Sequence, residues 1–204
     1  PQARDQQWQQ IQQQDTEERA RYTDNRGAAK SQIILFDLID AQREADSQLA
    51  DACRRNDQEE IDRLRMLSTP VQMLNSLFSS ANLSIRLSIA EKGRVTVSKD
   101  DSEPFGINEL SDGERSALIV AANIITAPRE ALLLIDEPER HLHRSIVSPL
   151  ITAALEFRSD CSFLVSTHDV QLAVDQISAQ VVLVRSTTKP GEQWEYEVLS
   201  NTES

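Results

Sequence analysis

Positive charge is the first thing this sequence is short of. Its 204 residues carry 21 Lys and Arg against 33 Asp and Glu, a formal net charge of −12. A surface with that balance repels polyanions, which argues against a chain that coats nucleic acid or anionic membrane by bulk electrostatics. Long apolar runs are missing too. None approaches the roughly 20 residues that cross a hydrocarbon core, and no signal peptide opens the chain, so no membrane partner is expected. Cysteine is limited to Cys53 and Cys161, far apart and outside any CxxC or histidine spacing. That excludes a disulfide framework and describes reduced thiols in a cytoplasmic protein. Aromatics make up only 4% of the chain, yet the 39% hydrophobic content still supplies a core. The opening PQARDQQWQQ has no initiator methionine and reads as the middle of a longer protein.

Before residue 70 the only proline is Pro1 and the only glycine Gly27, so helix breakers are absent from a long polar stretch. Apolar residues recur there at helical spacing: Ile34 and Leu38, then Ala45, Leu49 and Ala52, then Ile61, Leu64 and Leu67. Asn56 with Glu59 predicts a capping box that restarts a helix, and Thr69-Pro70 predicts another start. Residues 1–80 are expected to form a solvated helical arm or antiparallel pair, coiled-coil-like without a sustained heptad. From residue 81 the texture changes. Leu83–Ile89 and Arg94–Ser98 alternate apolar and polar residues around the turn Glu91-Lys92-Gly93, which predicts a β-hairpin. Residues 100–106 read as loop. Helices are then expected over 112–127, 144–157 and 169–177, alternating with strands at 131–135, 162–166 and 181–185. That alternation implies an α/β fold with a parallel sheet covered by helices.

Three segments of residues 81–204 carry chemistry. Ala131-Leu-Leu-Leu-Ile-Asp136-Glu137-Pro138 places two carboxylates at the C-terminal edge of a buried strand, where open α/β sheets bind ligands. Asp136 is suited to Mg²⁺, a cation that prefers hard oxygen ligands. Its neighbour Glu137 points the other way and is placed to act as general base on an attacking water. Leu110-Ser111-Asp112-Gly113-Glu114-Arg115 opens an apolar helix with an S-x-x-E capping box, and helix capping alone would explain it. Yet Gly113 in the first turn costs about 1 kcal/mol against alanine, while letting a ligand approach the backbone at a helix N-terminus suited to phosphate. Phe163-Leu-Val-Ser-Thr-His168-Asp169 ends a second apolar strand in a histidine. If both strands are parallel neighbours, His168 and Glu137 share one site.

In this order, LSDGE, LLLIDEPE and STHD resemble the signature, Walker B and switch motifs of the ABC-type ATPase superfamily, over about residues 83–186. The resemblance implies ATP and Mg²⁺ as cofactors. Ser111, Asp112, Gly113 and Glu114 would contact the ATP held by the opposite subunit of a homodimer. Asp136 would be the Mg²⁺ acid, Glu137 the catalytic carboxylate and His168 the switch residue. Residues 139–143 would form the D-loop at the dimer interface, where the pair His141 and His143 is expected to pack rather than bind metal. The wording LSDGE and DEPERHLH, in place of LSGGQ and DEPTSALD, is similar to the soluble RecF-, SMC- and OLD-like branch. That branch includes ATPases of bacterial defence systems such as Septu and retron-associated operons.

One motif of the family is missing. None of the five glycines lies in a G-x-x-x-x-G-K-[ST] phosphate loop. Residues 81–204 are therefore expected to be the C-terminal lobe of an ABC ATPase, needing a Walker A lobe from elsewhere in the same protein. The role implied is DNA maintenance or anti-phage defence, with a nuclease effector and DNA as partners. Two other readings use the same residues. A transporter subunit is disfavoured by the DEPE and DGE wording and the polar arm. A catalytically idle scaffold is disfavoured by the presence of both Glu137 and His168.

Overall fold

The computed structural model describes residues 25–90, 93–99, 102–140, 142–176, 179–185 and 195–199, with side chains from residue 32 onward. Of the stretch expected to be helical over residues 1–80, residues 1–24 lie outside the described residues and the rest forms α1 (Asn25–Arg54), α2 (Gln58–Met66) and α3 (Pro70–Ser80). Two of these helices stop by the same device. The amides of Asn56 and Asp57 bond the carbonyls of Cys53 and Ala52, and those of Asn82 and Leu83 bond Ser79 and Phe78. Asn56 and Asn82 sit at φ 52° and 53°, the left-handed residue of a Schellman closure that asparagine tolerates. This corrects the expected Asn56–Glu59 capping box. Asn56 is used to end α1, so Asp57 caps α2 instead, its carboxylate accepting from the Glu60 amide at 3.2 Å. Thr69 and Pro70 do begin α3, with Gln72 completing the capping box.

The hairpin forms from β1 (Ile85–Ile89) and β2 (Val95–Lys99), antiparallel with Leu87 opposite Val97. Gly93 closes its turn at φ 75°, a conformation glycine adopts without strain. The segment expected to be loop contributes a third, two-residue strand, β3 (Phe105–Gly106), paired to β2. The side-chain amide of Asn75 bonds both backbone groups of Leu87, at 2.8 and 2.9 Å, and so ties α3 to β1. One core then runs through the chain. Leu38 of α1, Leu74, Leu77 and Phe78 of α3, and Leu87 and Val97 of the hairpin pack with Leu118, Leu150 and Ile151. The last three come from α4 (Asp112–Thr126) and α5 (Arg144–Phe157). Ala117, Ala121 and Ala122 give α4 a small buried face, which lets its neighbours come close.

β4 (Leu132–Asp136) and β5 (Ser162–Ser166) run parallel, in register from Leu132 opposite Ser162 to Asp136 opposite Ser166, with α5 as the crossover. Leu133, Ile135 and Phe163 face the core. The opposite face is bare: Leu132, Leu134 and Leu164 are 62%, 69% and 63% exposed. An all-aliphatic strand is expected to be buried on both faces, and the described residues cover only one. A short helix α6 (Val170–Asp175) follows β5. β6 (Val181–Arg185) then pairs antiparallel with β7 (Glu195–Leu199), a strand the sequence pattern did not reveal.

A buried cation joins these layers. Arg158, 5% exposed, donates from Nη1 to the carbonyls of Ile124 and Ile125 at 2.6 and 3.1 Å. Its Nη2 reaches the carbonyls of Ala127 and Pro128 at 3.0 and 3.1 Å, and Asp160 pairs with Nε at 2.8 Å. The guanidinium thus satisfies the free carbonyls at the end of α4, where a positive charge also suits the helix dipole. Removing it leaves buried acceptors bare and Asp160 with only the 4.0 Å pairing to the exposed Arg129. Arg158→Met is therefore expected to lose about 3 kcal/mol of stability, read as a lowered urea midpoint, and Arg158→Lys to recover only part.

Candidate functional site

The strand register brings the two acidic and histidine-bearing segments together. At the end of β4 the Asp136 side chain lies on the bare face, beside Ser166, whose hydroxyl donates to Asp136 Oδ1. The chain then turns sharply. Glu137 has φ 43°, a left-handed conformation costing a non-glycine residue about 1–2 kcal/mol. It is held by the Glu137 amide bonding Ser166 O and by the Arg140 amide bonding Glu137 O, both at 2.9 Å. Strained backbone that its surroundings over-determine is a mark of functional turns. The turn re-aims the second carboxylate toward the segment that follows β5, where His168 Nε2 lies 3.0 Å from Glu137 Oε1. The His168 side chain is 88% exposed, so the contact adds little to stability and remains open to a substrate.

Beyond Glu137, residues Pro138–Arg140 form one 3₁₀ turn. Glu139 Oε1 accepts from Thr167 Oγ1 at 2.7 Å, from the His168 amide at 2.8 Å and from the Asp169 amide at 3.3 Å. Burial pushes the Glu139 carboxyl up, but these hydrogen bonds outweigh it and hold it below the usual carboxylate range. Asp169 caps α6 through the amides of Gln171 and Leu172 and is paired with Arg144 at 2.7 Å. In the expected D-loop, His143 is the N-cap of α5, its Nδ1 accepting from the Ser145 amide at 3.3 Å. His141 lies outside the described residues.

The signature segment has its own set of partners. Ser111 caps α4: its hydroxyl accepts from the Glu114 amide at 3.3 Å and donates to Glu114 Oε2 at 2.7 Å. The Ser111 amide closes the box on the same oxygen at 2.9 Å. Lys99 of β2 lies 2.8 Å from Glu114 Oε1. Burial raises the Glu114 carboxyl, and the bonds from Lys99 and Ser111 more than offset it, leaving it lowered. Asp112 is fully exposed, 3.8 Å from Arg115. A Cβ built on Gly113 meets no atom within 4 Å, so nothing within the chain requires glycine there. Among the described residues no hydrogen bond or ion pair joins Ser111, Asp112 or Glu114 to Asp136, Glu137 or His168. Sequence reasoning missed Glu139 as a member of the site and Lys99 as the partner of Glu114, since both depend on contacts distant in the chain.

No set of three or more His, Cys, Asp or Glu among the described residues is arranged to cage a metal. The Asp136 carboxylate with the Ser166 hydroxyl does fit Mg²⁺, which takes one or two protein oxygens and completes its shell with water and phosphate. No described helix is long and apolar enough to cross a membrane.

Comparison with known proteins follows the same lines. Residues 5–175 match the model of the family described as "AAA domain, putative AbiEii toxin, Type IV TA system". Over 70 residues the chain is 36% identical to the lipoprotein-releasing system ATP-binding protein LolD of Chromohalobacter salexigens. That match covers 33% of this chain and 29% of LolD, so the chain spans less than a third of that relative. A structure from work on ATP-driven dimerization and DNA-stimulated activation of SMC ATPases superposes with a TM-score of 0.50 at 16% identity, covering 64% of this chain and 83% of that one. The Pyrococcus furiosus Smc head domain, with extended coiled coil and bound to the C-terminal domain of ScpA, gives 0.50 at 14% identity, covering 97% and 53%. At these identities the likeness to SMC heads establishes the fold.

Proposed function

We propose, from the premise that the chain belongs to this AAA-domain family and shares the ABC/SMC-type ATPase fold, that it is the C-terminal half of an ATP-hydrolysing dimer. The observation that carries this is the meeting of Glu137 and His168 at the ends of two parallel strands, with Asp136 alongside on the bare face. In this reading Glu137 takes the proton of the attacking water and His168 holds that carboxylate while sensing the γ-phosphate. Asp136, with Ser166 beside it, would hold Mg²⁺, which when bound would neutralise phosphate charge. Ser111 and Gly113 meet the ATP of the opposite subunit, with Asp112 and Glu114 flanking them. This accords with the absence, among the described residues, of any hydrogen bond or ion pair joining them to Glu137. Residues 1–80 supply the helical arm and 81–204 the lobe, the arm sharing the lobe's core through Leu38, Leu74, Leu77 and Phe78.

The bare leucine face supports a further lobe. Covering Leu132, Leu134 and Leu164 is worth about 1.5–3 kcal/mol for each side chain, and Asp136 opens onto the same face. A lobe bearing the phosphate loop would bury the leucines and bring its nucleotide to Asp136. The protein acts in the cytoplasm, in DNA maintenance or anti-phage defence, with a nuclease effector and DNA as partners. The match to LolD favours one rival, a transporter subunit, which stable co-purification with a membrane protein would establish.

The test is completeness. The 204-residue chain alone is expected to show no ATP turnover and no binding at micromolar nucleotide, whereas the full-length protein turns ATP over. Micromolar ATP binding by the chain alone, seen by calorimetry, would overturn the division of labour between two lobes.

A further inference from the structure

We infer that Glu139 is a positioning residue that sets the His168 imidazole against Glu137; this rests on the site reading above. Two carboxylates of one turn grip a single residue of the facing segment. Glu137 Oε1 lies 3.0 Å from the His168 ring, while Glu139 Oε1 takes the His168 amide at 2.8 Å. The same Glu139 oxygen also takes Thr167 Oγ1 and the Asp169 amide, so every residue from 167 to 169 is tied to it.

Ordinary helix capping does not account for this. Asp169 already caps α6, so the helix needs nothing from Glu139. The Asp169 amide is also served by Thr167 Oγ1 at 2.9 Å. What Glu139 alone supplies is the acceptor for the Thr167 hydroxyl and for the His168 amide, and the second of these anchors the His168 backbone. That anchor is made at a cost, because Glu139 Oε2 is buried without a partner, and an unsatisfied buried oxygen is unfavourable. The Glu137 backbone is fixed through Ser166 and Arg140 and the His168 backbone through Glu139, so the relative placement of the two side chains is set from both sides. A shift of about 1 Å between such groups costs up to roughly 100-fold in rate.

The experiment is a double-mutant cycle on ATP turnover by the full-length protein, with Glu139→Ala and His168→Ala. Glu139→Ala is expected to lower kcat by about 10- to 100-fold with KM for ATP little changed. In the His168→Ala background the same substitution is expected to cost nothing further, because its effect passes through His168. Glu139→Gln, whose neutral oxygen accepts the same bonds more weakly, should give an intermediate loss that also vanishes in that background. An equal loss in both backgrounds overturns the inference while leaving the site reading intact. If His168→Ala and Glu137→Gln both leave turnover unchanged, the site reading fails and the inference with it. Should Glu139→Ala not fold, Glu139→Gln decides: wild-type turnover, or the same loss in both backgrounds, overturns the inference.

Discussion

Glu137→Gln in the full-length protein is expected to bind ATP as before but to hydrolyse it about 10²–10⁴-fold more slowly, the usual contribution of a positioned general base. The substitution is nearly isosteric, and the carbonyl of the new side-chain amide can still accept from His168 Nε2, so the 3.0 Å contact survives. The turn also survives, because φ 43° at this position is held by backbone bonds to Ser166 and Arg140, not by the carboxylate. What is lost is the capacity to take a proton. With binding intact and hydrolysis blocked, ATP should accumulate in the closed state and trap a dimer, seen as a larger species on sizing with ATP. Unchanged turnover would remove Glu137 from the catalytic role and leave the strand ends as an acidic turn of no chemical consequence.

Much of this arrangement was legible in the sequence, and particular residues show why. The helix over 144–157 and the strands at 162–166 and 181–185 lie where apolar periodicity predicts them. Glu137 and His168 meet because parallel strands in register deliver their C-terminal ends to one edge. The failures are of two kinds. Asn56 reads equally as an N-cap and as a left-handed C-terminal residue, and the competition went to closing the long helix α1. Arg158 and Glu139 look like ordinary surface charges, since nothing local announces their contacts with Ile124 and Thr167, some thirty positions away. The run Leu132-Leu-Leu-Ile135 records burial on both faces, whereas the described residues cover one. There the sequence pattern and the exposed leucines carry the same information: a strand this aliphatic has the composition of one buried on both faces.

Ser111→Arg is expected to leave the fold nearly intact and to abolish ATP-dependent dimerisation of the full-length protein. Within the chain Ser111 is an N-cap, with one bond accepted from the Glu114 amide and one donated to Glu114 Oε2. Losing that cap costs about 1 kcal/mol, a modest shift in a melting curve. A long cation at this exposed helix start, by contrast, fills the space a partner's γ-phosphate would occupy. Gly113→Ala sharpens the comparison because its two effects have opposite sign. Gly113 is helical and its added Cβ meets only open space, so alanine should stabilise folding by roughly 0.4–1 kcal/mol. If the nucleotide of the opposite subunit needs that space, the more stable protein is the worse dimer. Sizing with a non-hydrolysed ATP analogue, beside a thermal melt, separates the two effects in one preparation. Normal dimerisation by both variants would return Leu110–Arg115 to the role of a well-capped helix start, and the two-subunit mechanism would lose its second contact.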